Sequence, residues 1–421
     1  MNVGIIGSGG REHAICNSLK ISRRIKEIYC FPGNAGTSFI AKNIELDLTN
    51  FEKLKKLIKQ FNIDLIIIGP EKPLVDGLVD YLDKFQIKVF GPNKIAAKLE
   101  GSKIFTKELC QKYNIPTAKF GIFKSKVSTY EHLKKINFPI VIKADNLASG
   151  KGVYICKNFI EAKIATDEIF GGKFGHAEKL LIEEFLEGEE MSFFTIHDGN
   201  IFKTFGTAQD HKRVFEGDKG KNTGGMGSYS PSRLINDDLD NKIIKKIIEP
   251  TLKGIKELGT IFKGFLYAGL MIKNNEPYLI EYNVRMGDPE CQTILPKLNN
   301  DLFDVIKSCL DKNLDKLNFD WSKDESLCIV LCSKGYPEKF INEIEINNLK
   351  KLNINHNEFI FHAGTKIIND KIYSNGGRVL NFVKVSKNFK KSRTDIIQMI
   401  KSLNWENGFF RSDIGYKVIG K

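Results

Sequence analysis

Two stretches of this chain carry the residue types of phosphate chemistry. Lys143 ends an apolar run and leads into Ala148-Ser149-Gly150-Lys151-Gly152. A glycine loop between two antiparallel strands can fold over a nucleotide's phosphates, and a lysine on each side neutralises their charge. A strand and not a helix follows, so this is no Walker A loop. An ordinary hairpin is the plainer reading, and the pair of lysines speaks against it. Further on, Glu281 and Asn283 stand two apart in an apolar segment. On a strand both point to one face. A carboxylate beside an amide oxygen suits a hard cation such as Mg²⁺. Arg285 keeps the same parity if the strand persists, before Gly287-Asp288-Pro289-Glu290. Glu-x-Asn alone is a weak motif.

Three further segments suit anions or nucleotides. Gly7-Ser8-Gly9-Gly10 lies between a strand and a helix, where backbone N–H groups make an anion site. A dinucleotide fold fails on detail, because Glu12 stands where the third glycine of Gly-x-Gly-x-x-Gly belongs. A single phosphate fits better than NAD, and a bare tight turn is the alternative. Asp210-His211-Lys212-Arg213, followed by Asn222-Thr223-Gly224-Gly225-Met226-Gly227, sets three potentially cationic side chains beside a glycine-rich turn. That suits a phosphate or carboxylate ligand, although a surface loop has the same charges. The acidic run Glu183-Glu184-Phe185-Leu186-Glu187-Gly188-Glu189-Glu190 is a solvated face by default. After a phosphate loop it could instead form an adenine hinge with a carboxylate for the ribose.

The elements that must position these residues follow from periodicity. Over the first hundred residues short apolar strands (2–6, 25–31, 64–68, 88–90) alternate with helices such as 51–61. That alternation predicts a parallel sheet with helices on both faces and binding loops at the strands' C-terminal ends. The middle reads as strands at 139–143, 153–156, 180–185, 191–196, 201–205, 265–272 and 278–283, with helices at 159–170 and 241–258. The last hundred residues read as a small α+β unit, with strands at 327–331, 358–362, 372–373 and 378–385 and a helix at 386–403.

Bulk properties narrow the function. A chain of 421 residues predicts two to four domains. No stretch approaches a membrane span, and no N-terminal signal precedes Arg11 and Glu12. The eight scattered cysteines contain no Cys-x-x-Cys, which predicts reduced thiols, a cytoplasmic setting and no zinc. The net charge of +13 is spread among acidic residues without a basic block, so a lysine-rich surface is favoured over nucleic-acid binding.

Taken in order, these segments resemble the glycinamide ribonucleotide synthetase (phosphoribosylamine–glycine ligase) family of the ATP-grasp superfamily. The resemblance runs from Gly7–Gly10 with Arg11-Glu12-His13 through Pro32-Gly33-Asn34-Ala35-Gly36-Thr37, Gly69-Pro70-Glu71 and Leu99-Glu100-Gly101-Ser102-Lys103. It continues through Val141-Ile142-Lys143-Ala144-Asp145, the Asp-His-Lys-Arg segment and residues 222–227 and 264–270, and on to Gly287-Asp288-Pro289-Glu290. It closes on Phe361-His362-Ala363-Gly364-Thr365 and Asn375-Gly376-Gly377-Arg378-Val379. The chain departs from the usual pattern at Asn146, Ala208 and Lys221, none of which removes a charged contact.

The resemblance implies a multidomain α/β and α+β protein. An N-terminal α/β domain would span 1–103, an ATP-grasp domain 104–309 with a small lid at about 116–190, and a C-terminal α+β cap 310–421. It implies that ATP phosphorylates glycine and that 5-phosphoribosylamine attacks glycyl phosphate. Lys103, Lys143, Gly150, Lys151 and Gly152 would then hold ATP's phosphates. Glu183, Phe185 and Leu186 would hold adenine, and Glu189 the ribose. Glu281 and Asn283 would bind Mg²⁺ or Mn²⁺. Gly9, Gly10, Asp210, Lys212 and Arg213 would hold phosphoribosylamine, and Arg285 and Asp288 the two ends of glycine. Lys143, Lys151, Arg285 and Asp288 would be catalytic. A monomer without nucleic-acid or membrane partners is expected. The nearest rival is a biotin carboxylase-like ligase, against which the Asp-His-Lys-Arg and Asn-Thr-Gly-Gly-Met-Gly segments argue. A nucleotide sensor without catalysis need not keep Lys143, Glu281 and Asn283 together.

Overall fold

The structure is a computed structural model that describes residues 1–145, 147 and 152–419. The first hundred residues make a five-stranded sheet of Lys42–Asn43, Glu27–Pro32, Asn2–Gly7, Leu65–Ile68 and Lys88–Phe90, in that spatial order. Every pairing in it is parallel, as the strand–helix alternation requires. The central strand Asn2–Gly7 is buried almost throughout, which explains its unbroken apolar run. Its C-terminal end delivers the loop at residues 7–10 to helix Gly10–Lys20.

A second, four-stranded sheet runs in the order Phe120–Phe123, Leu180–Glu184, Ile140–Ala144 and Val153–Cys156, all antiparallel. Helices Lys126–Leu133 and Phe159–Phe170 cover it. Leu133, Ile140, Ile142, Ala162, Ala165, Ile169, Leu180 and Ile182 form a core of its own, which makes this layer a separate packing unit. The carbonyl of Gly152 accepts from Ala144 N–H (2.9 Å), joining the two strands next to Lys143.

The large sheet runs Glu276–Asn283, Lys263–Lys273, Glu189–Asp198, Phe202–Asp210, Gly227–Ser230, Glu325–Ser333, Arg378–Ser386 and Glu358–His362, with Gly408–Phe409 beside Glu325–Ser333. Gly227–Ser230 is the seam: it pairs with Phe202–Asp210 on one side and Glu325–Ser333 on the other. The strands of the last hundred residues therefore extend the sheet that carries Glu281 and Asn283. Helix Phe389–Leu403 begins three residues later than the sequence suggests, because Ser386 still pairs with Glu325 and Asn388 caps the helix at Lys391 N–H. The single helix expected over 241–258 is instead Asp237–Ile243 and Glu249–Glu257 joined by a π-turn, Ile244–Ile248. Pro250 cannot donate into a regular helix, and the widened turn takes up the defect.

Candidate active site

The site begins at the seam between the small and large sheets. Lys143 lies on Ile140–Ala144 and is nearly fully buried. Its ammonium meets Glu183 Oε1 at 2.8 Å and reaches Ile280 O, on the strand of Glu281, at 3.4 Å. Lys103 opens helix Lys103–Lys112. Ser102 caps that helix through Phe105 N–H (3.0 Å), and Asp145 accepts from Ser102 Oγ (2.9 Å) and Ile104 N–H (2.9 Å). The strand carrying Lys143 thus fixes the helix end carrying Lys103. Burial pulls the Lys103 ammonium down, and Glu281 pulls it back up. Glu281 and Asn283 both stay partly open while Tyr282 and Val284 are buried, so the pair shares the face turned to the site. A carboxylate and an amide oxygen, with the rest of the shell left to phosphate and water, fit Mg²⁺. Gly150 and Lys151 lie outside the described residues.

The segment expected to hold adenine divides at Glu183. Phe185, Leu186, Glu187 and Gly188 do link the two sheets, with Phe185 and Leu186 half-buried. Glu183, however, is 4 % exposed and its carboxylate lies between two ammonium groups: Lys143 and Lys107, the latter at 3.2 Å. Burial would raise its pKa, but the two lysines hold it below the ordinary value. Its side chain serves the two lysines. Glu189 is paired with Arg233. Lys107 was not foreseen. The signal was available: with Ile104 and Cys110 it shares the i, i+3, i+6 stripe that faces the core, where a lysine needs a buried partner.

The N-terminal loop also differs from expectation. Gly9 N–H is donated to Glu12 Oε2 at 2.5 Å, and Arg11 N–H to Asp288 Oδ2 at 3.0 Å. Two of the chain's own carboxylates thus take helix N–H groups that the sequence offered to a substrate phosphate, and an incoming phosphate would meet their charge. Gly10 has a packing reason to be glycine: a Cβ there would lie 2.3 Å from Asn381 Nδ2 and 2.5 Å from Gln292 Nε2. Asn34 ties this end together. Its amide donates to Ser8 O (2.9 Å) and His362 O (2.8 Å) while its Oδ1 accepts from Gly36 and Thr37 N–H. His13 Nδ1 accepts from His362 N–H at 2.8 Å, and burial lowers the His13 pKa to about 3, so it is neutral.

Arg285 and Asp288 are both strongly engaged. Arg285 contacts Glu100 at 2.7 Å and Glu71 at 3.3 Å. Burial lifts Glu100 to about 7 against the pull of Arg285, whereas at Glu71 burial is outweighed by Arg285 and Arg11, which bring it below its ordinary value. Asp288 lies 3.3 Å from Arg378, which also donates to Gly224 O and Asp288 O. Burial would raise the Asp288 carboxyl, and Arg378 and Arg11 bring it below its usual range. Arg378, from the Asn-Gly-Gly-Arg-Val segment, is a site residue that the sequence reading left without a role.

Asp210 ends strand Phe202–Asp210, and Lys212 lies two residues on, bound to Glu190 Oε2 at 2.7 Å. Burial pushes Asp210 up to about 7, with Lys212 opposing. Beside them Tyr267 and Ser192 donate to Glu290 Oε1 at 3.1 and 3.3 Å. Arg213 donates to Gly220 O within the hairpin Arg213–Phe215 and Lys219–Asn222. His211 turns away: it accepts from Gly415 N–H (3.1 Å) and faces Asp218 (3.5 Å). The fully buried Arg411 pins the hairpin through Asp218 (2.7 Å), Asp413 (2.7 Å) and Arg213 O (2.9 Å).

All eight cysteines are buried and free. Burial raises the Cys291 thiol well above its ordinary pKa. Among the described residues no group of three or more His, Cys, Asp or Glu could hold a metal ion, and no helix is long and apolar enough to cross a membrane.

Comparison with known proteins gives this geometry its family. Residues 1–100 match the phosphoribosylglycinamide synthetase N domain, residues 101–291 its ATP-grasp (A) domain, and residues 326–417 its C domain. The phosphoribosylamine–glycine ligase of Brucella melitensis is 42 % identical over 420 residues, covering 100 % of this chain and 98 % of the relative. The crystal structure of the Thermotoga maritima phosphoribosylamine–glycine ligase superposes with a TM-score of 0.85 at 33 % identity, covering 99 % of this chain and 100 % of that one. A biotin carboxylase domain from Hydrogenobacter thermophilus, solved with MgADP and bicarbonate, shares the fold alone, with a TM-score of 0.69 at 16 % identity over 95 % of this chain and 89 % of that one. The chain belongs to the phosphoribosylamine–glycine ligase family of ATP-grasp enzymes, which act in purine biosynthesis.

Proposed function

We propose that this site joins glycine to 5-phosphoribosylamine through glycyl phosphate, with ATP held in the seam between the two sheets. The observation that carries this reading is the convergence of Lys143, from the small sheet, on the strand bearing Glu281 and Asn283. Lys103 and Lys143, with Lys151, would neutralise the distal phosphates. Glu281 and Asn283 would hold Mg²⁺ or Mn²⁺, which when bound spreads the charge of the transferring phosphoryl group. Phe185 and Leu186 would flank the adenine.

The chain's own residues supply orientation and charge. Arg285, with Glu71 and Glu100 behind it, would take the glycine carboxylate. Asp288, whose carboxyl burial would raise but Arg378 and Arg11 bring below its usual range, would take the ammonium. Transfer of the γ-phosphoryl group to the carboxylate releases ADP. The amine of phosphoribosylamine then forms the C–N bond, loses a proton and expels phosphate. Asp210, lifted to about 7, is suited to accept that proton near neutral pH. Gly9 and Arg11 spend their N–H groups on Glu12 and Asp288, and Lys212 and Arg213, although paired with Glu190 and Gly220 O, would supply the positive charge for the phosphate of phosphoribosylamine.

A thioester route has no candidate, since the cysteines are buried and Cys291 is held as a thiol. Hydroxylamine in place of phosphoribosylamine tests the route. With glycine and Mg-ATP, glycine hydroxamate should form in step with ADP and phosphate. AMP and pyrophosphate would refute it.

A further inference from the structure

We propose that Lys107 is a positioning residue: it keeps the Glu183 carboxylate neutralised, so that Lys143 can leave that carboxylate for the phosphates of a nucleotide. This rests on the reading that Lys143 meets ATP. Three ionisable groups lie in a row, all nearly fully buried: Lys107 (2 %), Glu183 (4 %) and Lys143 (5 %). A buried carboxylate stripped of its counter-ion is costly. If Lys143 were the only partner of Glu183, each turn towards a phosphate would strand that charge.

The two lysines are anchored unequally. Lys107 Nζ contacts Glu183 Oε2 at 3.2 Å and donates to Thr117 Oγ1 at 2.5 Å. Thr117 in turn donates to Leu279 O at 2.6 Å, so Lys107 is tied to the large sheet as well. Besides Glu183, Lys143 has a long contact to Ile280 O at 3.4 Å. Lys107 is the resident partner and Lys143 the exchangeable one. Burial pulls the Lys107 ammonium down, and Glu183 draws it back towards the charged form.

The experiment titrates the full chain with Mg-ATP by calorimetry. Lys107→Gln keeps a hydrogen-bonding side chain without the charge. Glu183 then has only Lys143, and ATP affinity should fall at least about tenfold. Lys107→Arg restores the charge and should bind ATP as the wild type does. Lys107→Met with Glu183→Leu removes both charges, leaves Lys143 unclaimed, and should recover affinity to within about threefold of wild type. A merely structural lysine would give the opposite order, with the double variant as weak as the single or weaker. Wild-type affinity in Lys107→Gln, or no recovery in the double variant, overturns the proposal. If Lys107→Gln does not fold, the double variant decides alone: near-wild-type affinity supports the proposal, and a tenfold loss or more overturns it. Lys143→Met separates the two readings. Unchanged ATP affinity there would remove Lys143 from the nucleotide site, whatever Lys107 does.

Discussion

Replacing Gly10 by alanine should destabilise the protein, although alanine is ordinarily the better helix residue. The gain from propensity is at most about 1 kcal/mol. Against it stands the space: the new Cβ would lie 2.3 Å from Asn381 Nδ2 and 2.5 Å from Gln292 Nε2. Both amides are completely buried, so neither can swing into solvent. Ordinary contact requires each to retreat by roughly 1 Å. Asn381 Nδ2 would then leave Phe361 O, now at 3.0 Å, and Gln292 Nε2 would leave Asp288 Oδ1, now at 2.9 Å. A buried donor left without its partner costs about 1–3 kcal/mol, and overpacking alone costs a similar amount. We expect a net loss of about 2–4 kcal/mol, read as a lower urea midpoint at unchanged slope. Asn381→Ala should relieve the shorter of the two clashes, so the pair should couple favourably by at least about 1 kcal/mol in a double-mutant cycle. A Gly10→Ala variant within about 0.5 kcal/mol of wild type, or strict additivity with Asn381→Ala, would refute the packing account. A raised KM for phosphoribosylamine at wild-type stability would instead return Gly10 to the substrate.

Glu281→Gln should lower turnover by at least about two orders of magnitude with the urea midpoint unchanged, because charge stabilisation by the metal is worth several kcal/mol; near-normal turnover would remove Glu281 from the metal site. Arg411→Met should cost about 2–4 kcal/mol at neutral pH, since it strands Asp218 and Asp413. Both carboxylates are held below their ordinary pKa, so the stability they contribute is present above about pH 4 and lost on acidification, and the variant's deficit should shrink as pH falls. Glu100 has the opposite sign: its pKa rises from 4.5 to about 7, so wild-type stability should fall relative to Glu100→Gln as pH climbs through that window, and a parallel pair of curves would show that Glu100 is not so shifted.

The sequence was most informative where chemistry repeats with a short period. The strand–helix alternation foretold the parallel sheet, and type and spacing picked out Lys143, Glu281 and Asn283, which the fold brings to one region. It was least informative where one residue's role depends on another far along the chain. Glu12 reads as a broken dinucleotide motif, yet in the fold it caps its own helix at Gly9. Arg411 lies in an unremarkable tail, yet it pins a hairpin some two hundred residues away. Glycine is ambiguous in a further way, since a loop that admits a phosphate and a loop crowded by two amides both require it. At Gly10 only the distances to Asn381 and Gln292 separate the two.

The proposed metal pair shows how a strand pattern can leave the decisive fact unread. Spacing puts Glu281 and Asn283 on one face of their strand but says nothing about which face. Along Glu276–Asn283 the buried positions are first odd, Pro277 and Leu279. After Ile280 they are even: Tyr282, Val284 and Met286. The switch is a β-bulge, because Gly269 pairs with Glu281 while the next residue, Leu270, pairs with Leu279, leaving Ile280 without a partner. Had the strand run regularly from Pro277, Glu281, Asn283 and Arg285 would all point into the apolar layer with Leu279. The extra residue turns the three towards the seam and leaves the Ile280 carbonyl within reach of Lys143. One inserted position thus does two things at once. It places the carboxylate and amide in the open, and it brings the small sheet's lysine to the strand that bears them.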